Sequence, residues 1–205
     1  MALHLIDHPL AQVLITQLRN KTTPADAFRL ASRRITQLLM IEATRTLRTR
    51  TVQVTTPLEE TKGVTWMDTL TIIPIIRAGI SMVEPIVDLF PHVVVGYVGL
   101  ERDEDTAIAH NYYRKVPPLH DGRTFIVDPM LATGGSILQT LEICREEGAE
   151  KVTVVTIIAS PEGVAAIESR FPDVEIYTAS LDRELNQKKY ILPGLGDFGD
   201  RLFNT

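Results

Sequence analysis

The 205 residues carry 21 lysines and arginines against 26 aspartates and glutamates, a net charge of −5, with 44% hydrophobic and 23% charged residues. This balance suits one globular domain over residues 1–205 and disfavours nucleic-acid binding by the surface as a whole, though a pocket can still be locally basic. The single cysteine, Cys144, excludes an intrachain disulfide framework and fits a reducing cytoplasm, while no apolar run reaches the roughly 18 residues of a membrane span and no secretory signal is read at the start.

Residues 10–19 predict a short helix. Thr23-Pro24-Ala25-Asp26 reads as the next helix start: threonine as cap, proline in the first turn, an acid three residues on. That helix is expected to reach about Leu47, with Phe28, Ala31, Ile35, Leu38 and Leu39 on one face. Arg29, Arg33, Arg34 and Arg45 fall on a solvated or subunit-contacting face. Gln53–Thr56 suggests a short strand. Thr69–Ile76 is nearly continuous apolar and β-branched, the pattern of a strand buried on both faces. Arg77-Ala78-Gly79 breaks it, and a helix is expected near Ser81–Phe90. His92–Leu100 reads as a second buried strand.

Residues of about 101–120 are polar, hold Asp103, Glu104, Asp105, Tyr112, Tyr113 and Pro117-Pro118, and show no clean period; a connection of that length is usually a lid or a disordered insert. Thr124–Val127 is expected as the third buried strand and Lys151–Ile158 as the fourth. Ser160-Pro161-Glu162 opens a helix ending near Phe171, and Val174–Ala179 is the last strand. Strands alternating with helices predict an α/β fold, a parallel β-sheet flanked by helices. Ligands of such sheets gather outside the strand C-termini, where Arg77, Arg102 and Asp128 fall.

Asp128-Pro129-Met130-Leu131-Ala132-Thr133-Gly134-Gly135-Ser136 is the most informative stretch. It follows Phe125-Ile126-Val127 and precedes the amphipathic Ile137–Ile143, so it is a small-residue loop between strand and helix. Thr133 to Ser136 offer several backbone N–H groups and two hydroxyls at a helix N-terminus, a phosphate cradle. Asp128 at the strand end can accept hydrogen bonds from a sugar diol or help hold a metal-bound ligand. A plain strand-to-helix turn with a Thr-Gly-Gly-Ser cap is the alternative. Neither Gly-x-x-x-x-Gly-Lys-Ser/Thr nor Gly-x-Gly-x-x-Gly after a strand occurs, which argues against a nucleotide triphosphatase loop or a dinucleotide fold. Tyr190 to Arg201 holds three glycines, yet Tyr190, Ile191, Leu192, Leu195, Phe198, Leu202 and Phe203 are too apolar for a solvated tail, and a hood over about residues 180–205 is expected. Cys144 is expected in the core. No histidine pair has metal-ligand spacing.

The Asp128–Ser136 loop resembles the phosphoribosyl-diphosphate (PRPP) loop of type I phosphoribosyltransferases, in its uracil phosphoribosyltransferase form. Ile75-Ile76-Arg77-Ala78-Gly79, Leu100-Glu101-Arg102-Asp103-Glu104 and Tyr190–Arg201 match that family's pattern in the same order. The resemblance implies transfer from PRPP to uracil in pyrimidine salvage, with Mg²⁺ carried mainly by PRPP. It implies PRPP contacts from Arg77, Arg102, Asp128–Ser136 and Asp197, of which Arg102, Asp128 and Asp197 would serve the chemistry. Ile191, Gly196, Asp197 and Phe198 would meet uracil, largely through backbone groups. Asp197 is left between the ribose, a metal-bound water and a plain turn role. Arg102 is left between diphosphate and a solvated charge cluster, and Tyr112 and Tyr113 between lid and packing. A homo-oligomer, dimer or tetramer, and a GTP effector are also implied; no nucleic-acid or membrane partner is. Most type I members have acids where this chain has Pro129 and Ala132, so one carboxylate remains in the loop. Lys189 and Phe198 replace smaller residues common in bacterial relatives. Two other classes stay open: a uracil-nucleotide-responsive RNA-binding regulator on the same fold, and a ligand-binding protein without chemistry.

Overall fold

The computed structural model describes the backbone of residues 3–102 and 109–205, and their side chains apart from 101–102 and 109–111. The sheet is built from β1 (Leu3–Leu5), β4 (Leu70–Ile76), β5 (Val94–Val95), β6 (Tyr97–Arg102), β7 (Ala109–Lys115), β8 (Arg123–Val127), β9 (Met130–Leu131), β10 (Val152–Ala159) and β11 (Glu175–Leu181). Its main order is β1-β11-β10-β8-β4-β6-β7, with β5 beside β4 and β9 beside β10. All these pairs are parallel except β6 with β7. The expected parallel α/β sheet is therefore present.

The period-2 alternation of the central strands sorts their side chains onto two faces. Leu70, Ile72, Phe125, Val127, Val155 and Ile157 face one core layer. Helices α1 (Pro9–Arg19), α2 (Ala25–Ala43), α3 (Val83–Leu89) and α6 (Phe198–Phe203) cover that layer. Ile73, Ile75, Ile126 and Val154 face the other, under α4 (Gly135–Glu146) and α5 (Pro161–Arg170). Cys144 is buried in this second layer, and burial pushes its thiol up to about 12, which leaves it protonated and unreactive.

Several elements depart from the sequence reading. The helix expected to reach Leu47 stops at Ala43, and its cap position is Pro24, with no side-chain bond. The Thr23 hydroxyl instead donates to the Gln17 carbonyl (2.7 Å), closing the end of α1. Beyond Ala43 the β-branched run at Thr49 to Val54 favours a strand. It forms β2 (Thr49–Thr55), paired antiparallel with β3 (Glu60–Trp66), where only Gln53–Thr56 was expected. The expected His92–Leu100 strand is split at Gly96 into β5 and β6, both paired with β4. The stretch read as a lid loop over about 101–120 carries β7, the return strand of a hairpin with β6. Tyr112, Tyr113 and Arg114 of β7 are all exposed, so no buried-and-exposed alternation marks this strand in the sequence. Asp103, Glu104 and Asp105 lie outside the described residues. After β11 the chain adds β12 (Glu184–Leu185), β13 (Ile191–Leu192) and α6.

Phe28 of α2 is fully buried and ties this C-terminal segment to the main core. Its ring lies 5.1 Å from that of Phe198, and the Arg201 guanidinium sits 4.3 Å above its face. Phe28→Ala is expected to lower unfolding free energy by about 3–5 kcal/mol in urea titration. A loss below about 1 kcal/mol would show that the C-terminal segment does not lean on this ring.

Candidate functional site

Parallel pairing of β4, β8 and β10 brings their C-terminal ends to one edge of the sheet. Asp128 follows β8 there, and its amide donates to the Val155 carbonyl (3.2 Å). The Pro129 carbonyl accepts from both Ile157 (3.0 Å) and Ile158 (3.1 Å), so the chain steps sideways before β9 pairs with the end of β10. Proline suits that step because no ladder donor is needed from it. Ala132 is then fixed by the Ser160 hydroxyl, which donates to its carbonyl (2.6 Å) and accepts from Gly163 (3.0 Å) to cap α5.

Gly134 is the cap residue of α4, with φ +82° and ψ −9°, and no side-chain cap bond. That left-handed conformation suits glycine, and a Cβ there would also press on the Gly163 carbonyl at 3.2 Å. The amides of the first turn of α4 thus start a helix of 12 residues without an intrahelical acceptor, which favours an anion in front of them. Asp128 stands behind this cradle. Desolvation pushes its carboxyl up to about 7, partly offset by the Met130 amide donating to Oδ1 (3.3 Å).

The C-terminal segment closes over the same edge. Met130 and Ala132 of the loop line one cavity of about 240 Å³ with Lys188, Lys189, Tyr190, Ile191, Gly196, Asp197 and Phe198. Ile191 and Phe198 are 5% and 2% exposed, so their side chains belong to the core and their backbone is what a ligand can meet. Asp197 Oδ1 accepts from the Asp200 amide (3.0 Å) and starts α6, so part of its role is structural. Gly196 adopts φ +82° between them.

The candidate residues divide accordingly. Met130, Ala132, Ile191, Gly196, Asp197 and Phe198 share the cavity. Pro129 and Leu131 are buried beneath the loop and can offer only backbone atoms. Thr133, Gly135 and Ser136 follow at the start of α4. Arg77 is exposed just past β4, outside the cavity lining. The backbone of Arg102 ends β6, and its side chain lies outside the described residues. Among the described residues no group of three or more His, Cys, Asp or Glu could hold a metal ion. Lys188 and Lys189 were not assigned a role from the sequence. The Asn186 carboxamide accepts from the amides of Lys188 (2.9 Å) and Tyr190 (3.0 Å), folding a tight turn that delivers both lysines to the cavity wall. An asparagine four residues before the hood's first aromatic is the one local signal for it.

Comparison with known proteins adds the family. The model of the uracil phosphoribosyltransferase family matches residues 5–205. A uracil phosphoribosyltransferase of Fervidobacterium nodosum is 50% identical over 205 residues, covering 99% of both chains. One of Thermosipho africanus is 47% identical over 207 aligned positions, covering 100% of both. A solved protein of Aquifex aeolicus is 35% identical with a TM-score of 0.94, covering 98% of this chain and 97% of its own. Adenine phosphoribosyltransferase of Trypanosoma brucei, solved with AMP, pyrophosphate and ribose-5-phosphate, shares the fold alone: TM-score 0.59, 12% identity, 87% and 83% coverage.

The raised pKa of Asp128 has a stability consequence of definite sign. Its folded pKa of about 7 lies above the roughly 3.9 of an unfolded aspartate, so folding favours the neutral acid. That contribution is complete below about pH 4 and is lost as pH rises through about 7. Asp128→Asn keeps the neutral shape at every pH. Its urea midpoint relative to the parent chain should therefore rise between about pH 4 and about pH 7 and stay level above that. A constant difference across that range would mean that Asp128 titrates normally.

Proposed function

The chain belongs to the uracil phosphoribosyltransferase family, and on that premise we infer that the cavity between the loop and the hood is where its substrates meet. The enzyme is a pentosyltransferase that converts uracil and PRPP to UMP and diphosphate in pyrimidine salvage. One observation carries the assignment of the site: Met130 and Ala132 of the anion-cradling loop share a cavity with the backbone turn Ile191–Phe198. A phosphate site and a slot for a planar base are thereby contiguous.

In the reaction the bond from uracil N1 to C1′ forms as the bond from C1′ to the diphosphate oxygen breaks. The N1 proton passes to solvent and the leaving group takes the electron pair. C1′ becomes cationic on the way, so the site must orient two reactants in line and neutralise diphosphate. The first-turn amides of α4, with Thr133 and Ser136, receive the 5-phosphate. Asp128 accepts from the ribose hydroxyls; two donors arriving at a desolvated carboxyl favour its ionised form. Arg77 and Arg102, at the ends of neighbouring strands, reach the diphosphate as bidentate donors. Asp197, beside the base, keeps one oxygen for the ribose while the other starts α6.

The described carboxylates at the site, Asp128 and Asp197, are too few for an all-protein cage, which fits Mg²⁺ held chiefly by PRPP oxygens and water. When bound, the ion supplies charge neutralisation for diphosphate. The β6–β7 hairpin, at the edge of the sheet beside β4, serves as a lid over PRPP and excludes water from the cationic centre.

Uracil presents acceptor, donor, acceptor along O2, N3–H and O4. Backbone N–H and C=O groups of Ile191, Gly196 and Phe198 match that order. Cytosine puts a donor in place of O4 and has no N3–H. The chain further works as a homo-oligomer in the cytoplasm. The exposed Leu58 (94%), Val64 (71%) and Trp66 (51%) of the β2–β3 hairpin support the first, and the free, buried Cys144 the second. GTP as an effector rests on the family likeness.

Labelled uracil with PRPP and Mg²⁺ should give UMP, and Asp128→Asn should lower kcat/KM by about 10²–10⁴ with the fold intact. Near-parental turnover would remove Asp128 from the mechanism. With uracil and cytosine competing in one reaction, UMP should exceed CMP by at least about 10², from two mismatched groups at about 1–3 kcal/mol each. A ratio near unity would defeat readout by the hood backbone. Amides of residues 109–115 should gain hydrogen-exchange protection with PRPP and Mg²⁺, and equal protection in both states counts against the lid.

A further inference from the structure

Asp182 lies just beyond β11, and its side chain is 1% exposed. Such burial of a carboxylate is costly unless it is fully paired. Here four donors surround it. Arg19 gives Nη1 to Oδ2 (2.8 Å) and Nη2 to Oδ1 (2.5 Å), the two-pronged fork that suits a carboxylate. The Ser180 hydroxyl donates to Oδ1 (2.8 Å), and the Gly194 amide donates to Oδ2 (2.8 Å). Burial alone would raise the Asp182 carboxyl; the Arg19 guanidinium, the Ser180 hydroxyl and the Gly194 amide outweigh it and hold the group below its ordinary value.

The same guanidinium also reaches the hood backbone and β11. Arg19 Nη1 donates to the Gly194 carbonyl (2.9 Å), and Nη2 to the Ser180 oxygen (2.9 Å). Both polar groups of the Gly194 peptide units are thus held, one by the carboxylate and one by its counter-ion. Gly194 has φ +60°, and a Cβ there would collide with the Ile191 carbonyl, so the turn cannot relax by accepting another residue. Gly194 stands between Ile191 and Gly196, two of the residues whose backbone lines the base cavity. Neither Arg19 nor Asp182 lines that cavity.

We propose that Arg19 and Asp182 form a specificity-determining pair of positioning residues: linking the end of α1 to the end of β11, they set the height and tilt of the Ile191–Gly196 turn that reads the base. The proposal rests on the assignment of uracil to that cavity. Backbone donors and acceptors discriminate bases only when held to within a fraction of an ångström, and a backbone turn has no side-chain rotamer to adjust. The PRPP cradle hangs from β8, β9 and α4, whereas the pair's side chains tie α1 to Ser180 and the Gly194 turn, so the two substrates should respond differently to its loss.

The test uses the full chain. Arg19→Ala and the milder Arg19→Lys, which keeps the charge without the fork, are compared with the parent by steady-state kinetics and by calorimetric titration with PRPP and Mg²⁺. Arg19→Ala is expected to raise the uracil KM by about tenfold to a hundredfold and to lower the UMP-to-CMP ratio under competition, with PRPP affinity changed less than about twofold. Arg19→Lys should fall between. If Arg19→Ala does not fold, Arg19→Lys alone is held to the same split. Parallel losses for uracil and PRPP, or an unchanged uracil KM and base ratio in a folded variant, would overturn the proposal. A parent chain that makes no UMP would instead sink the reading of the site.

Discussion

Parallel hydrogen bonding among β4, β8 and β10 is the constraint on which the rest of this molecule depends. Parallel neighbours cannot be joined by tight turns, so each return must cross a face of the sheet, and α3, α4 and α5 are those crossings. The crossings bury both faces, which is why the central strands are apolar at nearly every position. The same geometry sends β4, β8 and β10 toward one edge, beyond which Arg77, Asp128 and the start of α4 follow. Whatever residue follows one of these strands is thereby delivered to that edge.

Two materials build the site on that edge. The loop from Asp128 to Ser136 is rigid because it is threaded through the sheet: Pro129 bonds to β10, and Ala132 is tied to Ser160. The hood is rigid for a different reason. Its own pairing is only the two-residue β12–β13 ladder, so it depends on distant groups. Phe198 rests on Phe28, Arg201 donates to the carbonyls of Leu18, Leu195 and Asn20, and Arg19 grips Gly194. Burial pushes the Arg201 pKa down: this guanidinium is desolvated between carbonyl oxygens and the Phe28 ring.

How much was legible follows from the same physics. The central strands and the cradle could be read because continuous apolar runs and a glycine pair before an amphipathic helix are local signals. The hood's apolar content marked it as packed, and its pocket role came with the family motif Tyr190–Arg201. What could not be read was every feature made by pairing. The β2–β3 hairpin has polar alternation on two exposed faces, and β7 has pattern only relative to β6. The end of α2 at Ala43 is decided by the strand that follows, not by a breaker in the helix. Arg19 and Asp182 are 163 positions apart, and nothing near either names the other. Asp128 was visible as a carboxylate at a strand end, while its elevated pKa depends on the loop folding over it.

The long span of the hood contacts bears on how the protein comes into being. Arg201 bonds to Leu18 and Asn20 across separations of 183 and 181 residues, so the cavity proposed for the base is closed by a segment synthesised long after the one it bonds. Until then α1 and α2 present Leu18 and Phe28 without their cover, and β11 has no hood beyond it. Contacts this distant in sequence carry a larger loop-closure entropy than the local contacts of the cradle. A chain that stops short of the hood could therefore own the complete Asp128–Ser136 loop and still lack the turn proposed to read the base.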